Sequence, residues 1–116
     1  MHNFKDLRVW QTAIELTTEI YALLSTFPPE EKFGLISQMK RAAVSIPSNI
    51  AEGAGRNSNK EFKHFLSISL GSLFEIETQL IIANRLDLID AKSTEEVNTK
   101  ISSLQRMIFA LEKTIS

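Results

Sequence analysis

The sequence predicts an all-α protein: an antiparallel, up-down-up-down four-helix bundle with a proline kink in the second helix. Apolar residues recur every three or four positions through four long segments, and strand-like alternation is nearly absent. Proline, glycine and capping signals separate those segments. At 116 residues the chain reads as a single domain over residues 1–116, able to bury about two thirds of its unfolded surface in one core.

The first helix is expected from about Asp6 to Ser25, with Leu7, Trp10, Ile14, Tyr21 and Leu24 on one stripe. Ala13, Leu16, Ile20, Leu23 and Phe27 lie beside it. Pro28 and Pro29 end it, because proline lacks an amide donor and disfavours a helical residue before it. The second helix starts near Gly34 and carries Leu35, Met39, Ala42, Ala43, Ile46, Ile50 and Ala54. Pro47 lies inside that pattern, so a kinked single helix is expected, with Ser48, Asn49 or a water meeting the freed carbonyl.

Gly53 and Gly55 are expected to close the second helix, and Ser58-Asn59-Lys60-Glu61 reads as a capping box opening the third. From Phe62 the apolar spacing continues through Leu66, Ser69, Leu73, Ile76, Leu80 and Ala83, a rod of about 35 Å at 1.5 Å per residue. Leu86, Asp87 and Asp90 mark its end. Ser93-Thr94-Glu95-Glu96 reads as a second capping box, opening a fourth helix with Val97, Ile101, Leu104, Ile108, Leu111 and Ile115 on one seam. Short connections between long amphipathic helices imply the up-down bundle.

Composition narrows the chemistry. The absence of cysteine excludes disulfide scaffolds, thiolate zinc sites and cysteine nucleophiles. Two histidines, His2 and His64, are too few for most histidine-rich metal sites, and Glu61-x-x-His64 occurs once, without the second copy a di-iron bundle needs. No paired nucleophile and base and no cofactor loop is found, so neither an enzyme nor a cofactor is expected. Gly53-Ala54-Gly55-Arg56 superficially resembles a phosphate loop, but no strand precedes it and the lysine of such loops is missing. The N-terminus lacks the basic-then-apolar pattern of a signal peptide, and no stretch approaches 18 uninterrupted apolar residues. A cytoplasmic protein with no membrane partner is the expectation.

Apolar residues spill beyond the stripe each helix needs. Phe65, Ile68, Phe74, Ile81 and Ile82 on the third helix, with Met107 and Phe109 on the fourth, lie off the main seams. Such a patch marks a partner surface, and self-association is expected through it. Two other readings stay open: a broad core absorbs these residues, or a different protein covers them.

The blocks Phe4-Lys5-Asp6-Leu7, Val9-Trp10, Phe33-Gly34-Leu35 and Gln38 to Ala43 precede the longest one, Val44-Ser45-Ile46-Pro47-Ser48-Asn49-Ile50-Ala51-Glu52-Gly53. With Glu61-Phe62, Phe65-Leu66, Gly71-Ser72-Leu73 and Glu75 to Leu80, they resemble, in order, the bacterial four-helix-bundle proteins encoded in intervening sequences of 23S ribosomal RNA genes. The resemblance implies a homopentameric barrel, a fold shared with the accessory protein of diversity-generating retroelements, and an expectation of RNA or DNA binding. This chain departs from that basic relative in its net charge of -1.

Charge is nonetheless segregated. From Lys40 to His64, Lys40, Arg41, Arg56, Lys60 and Lys63 outweigh Glu52 and Glu61, a local +3, whereas residues 65–96 carry a local -4. Lys60 and Lys63 lie in the first turns of a helix whose N-terminal amides also favour anions. Repeated around a ring, these five residues would hold a phosphate backbone; the alternative is a solvated surface with ordinary ion pairs.

Glu52 follows Arg41 by eleven residues, about three helical turns, so with a small kink at Pro47 the two share one face in a polar row. Asn49 is expected to point toward a neighbouring helix. Pro47, Asn49, Glu52, Gly53 and Ser58 are therefore read as structural, satisfying broken hydrogen bonds or pairing across a subunit interface, with a small-ligand pocket as the other reading. The functional expectation is a non-catalytic homo-oligomer that binds structured RNA or DNA, and the rival is a protein-binding scaffold.

Overall fold

A computed structural model describes residues 2–31 and 34–115; Phe33 of the sequence blocks lies outside them. Helix α1 spans Arg8–Leu24, α2 Leu35–Ala54, α3 Asn59–Arg85 and α4 Ala91–Thr114, with single 3₁₀ turns at Phe4–Asp6 and Pro29–Glu31. Among the described residues there is no strand. α1 and α3 each pack against both α2 and α4, giving a four-helix bundle of 43 × 24 × 19 Å.

The core forms where the helical period predicts. Phe62, Leu66, Ser69, Leu73, Ile76, Leu80 and Ala83 of α3 are all buried, as are Val97, Ile101, Leu104 and Ile108 of α4. In α1 the buried line is Val9, Ala13, Leu16, Ile20 and Leu24. Ile14 and Tyr21, expected on the inner stripe, are exposed: each follows a core residue by one position, about 100° around the helix.

α2 passes through Pro47 without interruption. A helix-interior proline leaves the carbonyl four residues earlier, here Ala43, without its amide donor. Neither Ser48 nor Asn49 supplies the replacement. Thr17 of α1 does: its hydroxyl lies 3.1 Å from the Ala43 carbonyl and 2.8 Å from that of Ala13, sharing one proton between them. Asn49 instead donates to the Ser45 carbonyl and hydroxyl at 2.8 and 2.9 Å.

Gly53 has a different role from the expected helix stop. α2 continues to Ala54, and Gly55 caps it with φ -82°. A Cβ on Gly53 would stand 2.8 Å from the Phe65 Cβ and 3.2 Å from the Phe62 carbonyl, so Gly53 lets α3 approach α2. Farther along, Ser69 donates to the Ile46 carbonyl and Ser72 to the Ser45 hydroxyl, each at 2.9 Å. The α3 partners advance as the α2 partners recede, the order of antiparallel neighbours. Glu77 with Gln105 and Asn84 with Thr94 give the same reversed order for α3 and α4.

The caps explain the boundaries. Ser58 accepts from the Glu61 amide at 3.1 Å and is the N-cap of α3, at the position the sequence predicts. α3 closes with Leu88 N–H on the Ala83 carbonyl and Asp87 N–H on that of Asn84, a Schellman pair. Asp87 holds the left-handed φ of 59° that this motif requires. α4 begins ahead of the expected box at Ser93, because the Asp90 carboxylate accepts the Ser93 amide at 2.6 Å. That hydrogen bond holds the Asp90 carboxyl below its ordinary range.

Candidate interaction surfaces

The five basic residues singled out by charge fall into two groups. Arg56, in the turn after α2, donates to Glu52 at 2.6 Å and lies 4.9 Å from the Phe65 ring centroid. Lys60 and Lys63 follow within the first turns of α3. Lys40 sits elsewhere, its ammonium 5.1 Å from the Tyr21 ring on the α1 side of α2. Arg41 borders the α3 side of the same helix. Lys40 precedes Arg56 by sixteen positions, about 24 Å at helical rise, so one continuous basic patch does not form.

The tertiary structure adds members that the linear charge window missed. The His2 amide donates to the Ala54 carbonyl at 2.8 Å, and its ring lies 5.1 Å from that of Phe62. This contact folds the N-terminal segment onto the α2–α3 turn. Lys5 and Arg8 thereby join Arg56, Lys60 and Lys63 at one end of the bundle, and neither Lys5 nor Arg8 forms an ion pair among the described residues. Nothing local in the sequence around Lys5 signals that neighbour.

The apolar residues also divide. Ile68, Phe74, Ile81, Ile82 and Phe109 are exposed, Phe74 at 49% and Ile81 at 47%. Phe65 is half-buried beneath Arg56 and against Gly53, and Met107 packs against the core, so these two contribute little to the outer face. Leu86 extends that face. Gly71 lies on its surface, and a Cβ there would meet no atom within 4 Å. By length and composition α3 is apolar enough to cross a membrane; its inner residues pack in the bundle core.

A second apolar surface lies between α1 and α2. Trp10, Ile14, Thr17, Val44, Pro47, Ser48 and Ala51 line a groove of about 340 Å³, with Ile14 and Val44 exposed on its rim. Periodicity assigns Trp10 and Ile14 to the core, so the groove carries no signal in the sequence.

Polar groups concentrate along the seam of α2 and α3. Glu52 pairs with Arg56, not with Arg41 eleven residues earlier. Arg41 lines a cleft with Gln38, Ser45, Ser72 and Glu75. Among the described residues no group of three or more histidine, aspartate or glutamate side chains is gathered to hold a metal.

These features define a class: an all-α bundle with two unpartnered apolar surfaces, one basic end and a polar interhelical cleft. The chain belongs to the family of 23S rRNA-intervening sequence proteins, whose model matches residues 5–110. Among solved structures it is similar to a protein of unknown function from the S23 ribosomal protein family of Bacteroides thetaiotaomicron. That likeness has 25% sequence identity and a TM-score of 0.84, covering 90% of this chain and 95% of that one. No curated relative matches.

Proposed function

We propose that this chain is a non-catalytic assembly protein in which the outer face of α3 docks into the α1–α2 groove of another copy. The observation that carries this reading is Gly71 in open space beside Phe74 on an exposed apolar helix face. Glycine in a helix interior costs about 0.5–1 kcal/mol relative to alanine, and no contact within the chain needs its bareness. Close approach of another helix does. Ridge and groove are different surfaces, so the contact is heterologous, and heterologous contacts that close give rings. The family resemblance implies a ring of five.

Light scattering coupled to size-exclusion chromatography tests this. The wild type is expected to run as a multimer, and Phe74→Glu or Ile81→Glu as a folded monomer by circular dichroism. A monomeric wild type, or multimers unaffected by both changes, overturns it.

A second reading rests on the basic end. Each copy in a ring would contribute Lys5, Arg8, Arg56, Lys60 and Lys63, a repeated array suited to phosphate, and the family is named for the 23S rRNA-intervening sequence. Fluorescence anisotropy with a labelled ribosomal RNA stem-loop at low and high salt tests it. Saturable, steeply salt-dependent binding supports nucleic-acid recognition; no binding at low salt leaves the protein scaffold as the function.

A further inference from the structure

The outer seam of α2 and α3 opens into a cleft of about 390 Å³ lined by Gln38, Arg41, Ala42, Ser45, Ser72 and Glu75. Its volume lies toward the small end of the roughly 300–1,000 Å³ typical of ligand sites. Its lining differs from that of the apolar α1–α2 groove. Opposite charges, Arg41 on α2 and Glu75 on α3, line one concavity. Among the described residues, neither makes an ion pair.

The floor is organised. Ser72 donates to the Ser45 hydroxyl at 2.9 Å, and that oxygen also accepts from Asn49 at 2.9 Å. Both serines are thus held with their polar atoms at the seam. On the α3 side, Gln79 donates to Glu75 across 3.4 Å. Gln79 is only 5% exposed, and its carbonyl oxygen has no hydrogen-bond partner. An unpaired buried acceptor is unfavourable by about 1–3 kcal/mol. Gln79 holds the Glu75 carboxylate from beneath and is not itself part of the cleft lining.

The chemistry of the two walls is complementary to one kind of small molecule. A guanidinium presents a planar fork of donors that matches a carboxylate. An ammonium carries three donors, which a carboxylate such as that of Glu75 accepts. We propose that this cleft binds a small zwitterion, a free α-amino acid, with its carboxylate on Arg41 and its ammonium on Glu75. The α1–α2 groove lies on the other side of α2, whereas the cleft borders the α3 ridge, since Glu75 follows Gly71 by one helical turn.

Titration of the isotope-labelled full-length protein with individual L-amino acids, followed by amide NMR shifts, tests the proposal. Saturable shifts confined to residues 38–49 and 72–79 are expected for at least one amino acid. The corresponding amine without a carboxylate, and the N-acetylated acid, should not produce them. Arg41→Gln and Glu75→Gln should each weaken binding about tenfold to a hundredfold. Both residues are exposed, so these variants retain the fold, and Lys60→Gln, at the bundle end, should bind as the wild type does. Absence of saturable shifts with all twenty amino acids overturns the proposal. Equal shifts with inorganic phosphate, or undiminished binding by both cleft variants, would do so as well.

Discussion

The hydroxyl of Thr17 in α1 donates to the Ala43 carbonyl of α2 at 3.1 Å, the carbonyl that Pro47 deprives of its helical donor. A proline in a helix interior is unfavourable by about 3 kcal/mol against alanine. This contact offsets part of that cost and links α1 to α2 through a polar bond in an otherwise apolar seam. Thr17→Val keeps the shape and removes the donor, so it should destabilise the fold by about 1–2 kcal/mol in chemical denaturation. Thr17→Ser should retain most of the stability. If valine is as stable as threonine, water or a local shift satisfies Ala43.

Gly53 and Gly71 both lie inside helices, yet their substitutions should move stability in opposite directions. Gly53→Ala brings a Cβ against Phe65 Cβ, Phe62 Cδ1 and the Phe62 carbonyl, and overpacking of this kind costs about 1–3 kcal/mol. Gly71→Ala meets nothing and gains about 0.5–1 kcal/mol of helix preference. Urea denaturation in the Phe74→Glu background, where assembly is removed, separates the two. Destabilisation by Gly71→Ala there would mean that the fold itself needs this glycine.

Asp87 holds a left-handed φ of 59° at the end of α3 without being glycine. That conformation costs an L-residue about 1–2 kcal/mol. Asp87→Gly relieves it, partly offset by greater freedom in the unfolded chain, and should raise Tm in a calorimetric scan. Asp87→Val should lower it.

Asp90 gives α4 a pH-dependent start. Its carboxyl is held below the ordinary value of 3.8, chiefly by the Ser93 amide and secondarily by the Ser93 side chain. A lowered folded-state value means that the carboxylate stabilises the fold fully above the unfolded value. That contribution is lost as pH falls through the folded value. Asp90→Asn keeps a cap acceptor without a charge. The Tm advantage of wild type over Asp90→Asn should therefore shrink from neutral to strongly acid pH; a constant difference would remove Asp90 as the source.

Lys60→Glu and Lys63→Glu should each weaken nucleic-acid binding and reduce its salt slope, by about one unit for each phosphate no longer neutralised. Lys40→Glu, on the α1 side of α2 and about 24 Å from Arg56 at helical rise, should leave both nearly unchanged. Equal effects at Lys40 and Lys60 would argue for a diffuse charge effect rather than a basic end.

Much of the fold was legible because helix formation is a local question. The 3.6-residue period identified the inner rows of α3 and α4, and Ser58 opens α3 as its side chain predicts. α1 shows where periodicity is weak: Ala13 and Ile14, or Ile20 and Tyr21, are adjacent apolar pairs, and only the positions of α2 and α4 select which member is buried. The fourth helix began early because Asp90 competed successfully with Ser93 as the cap.

The candidate surfaces were legible in kind and not in grouping. Sequence alone determined the all-helical class, the helix count, the family resemblance, the excess of outward apolar residues on α3 and the segregation of charge, since each depends on residue type and spacing along one element. The tertiary structure decided the rest. It paired Thr17 with Ala43, set Arg41 across a cleft from Glu75, brought Lys5 to the end that holds Arg56 and Lys60, and separated Lys40 from them. Those relations join residues distant in sequence, and the packing of one helix against another sets them; no local periodicity encodes that geometry.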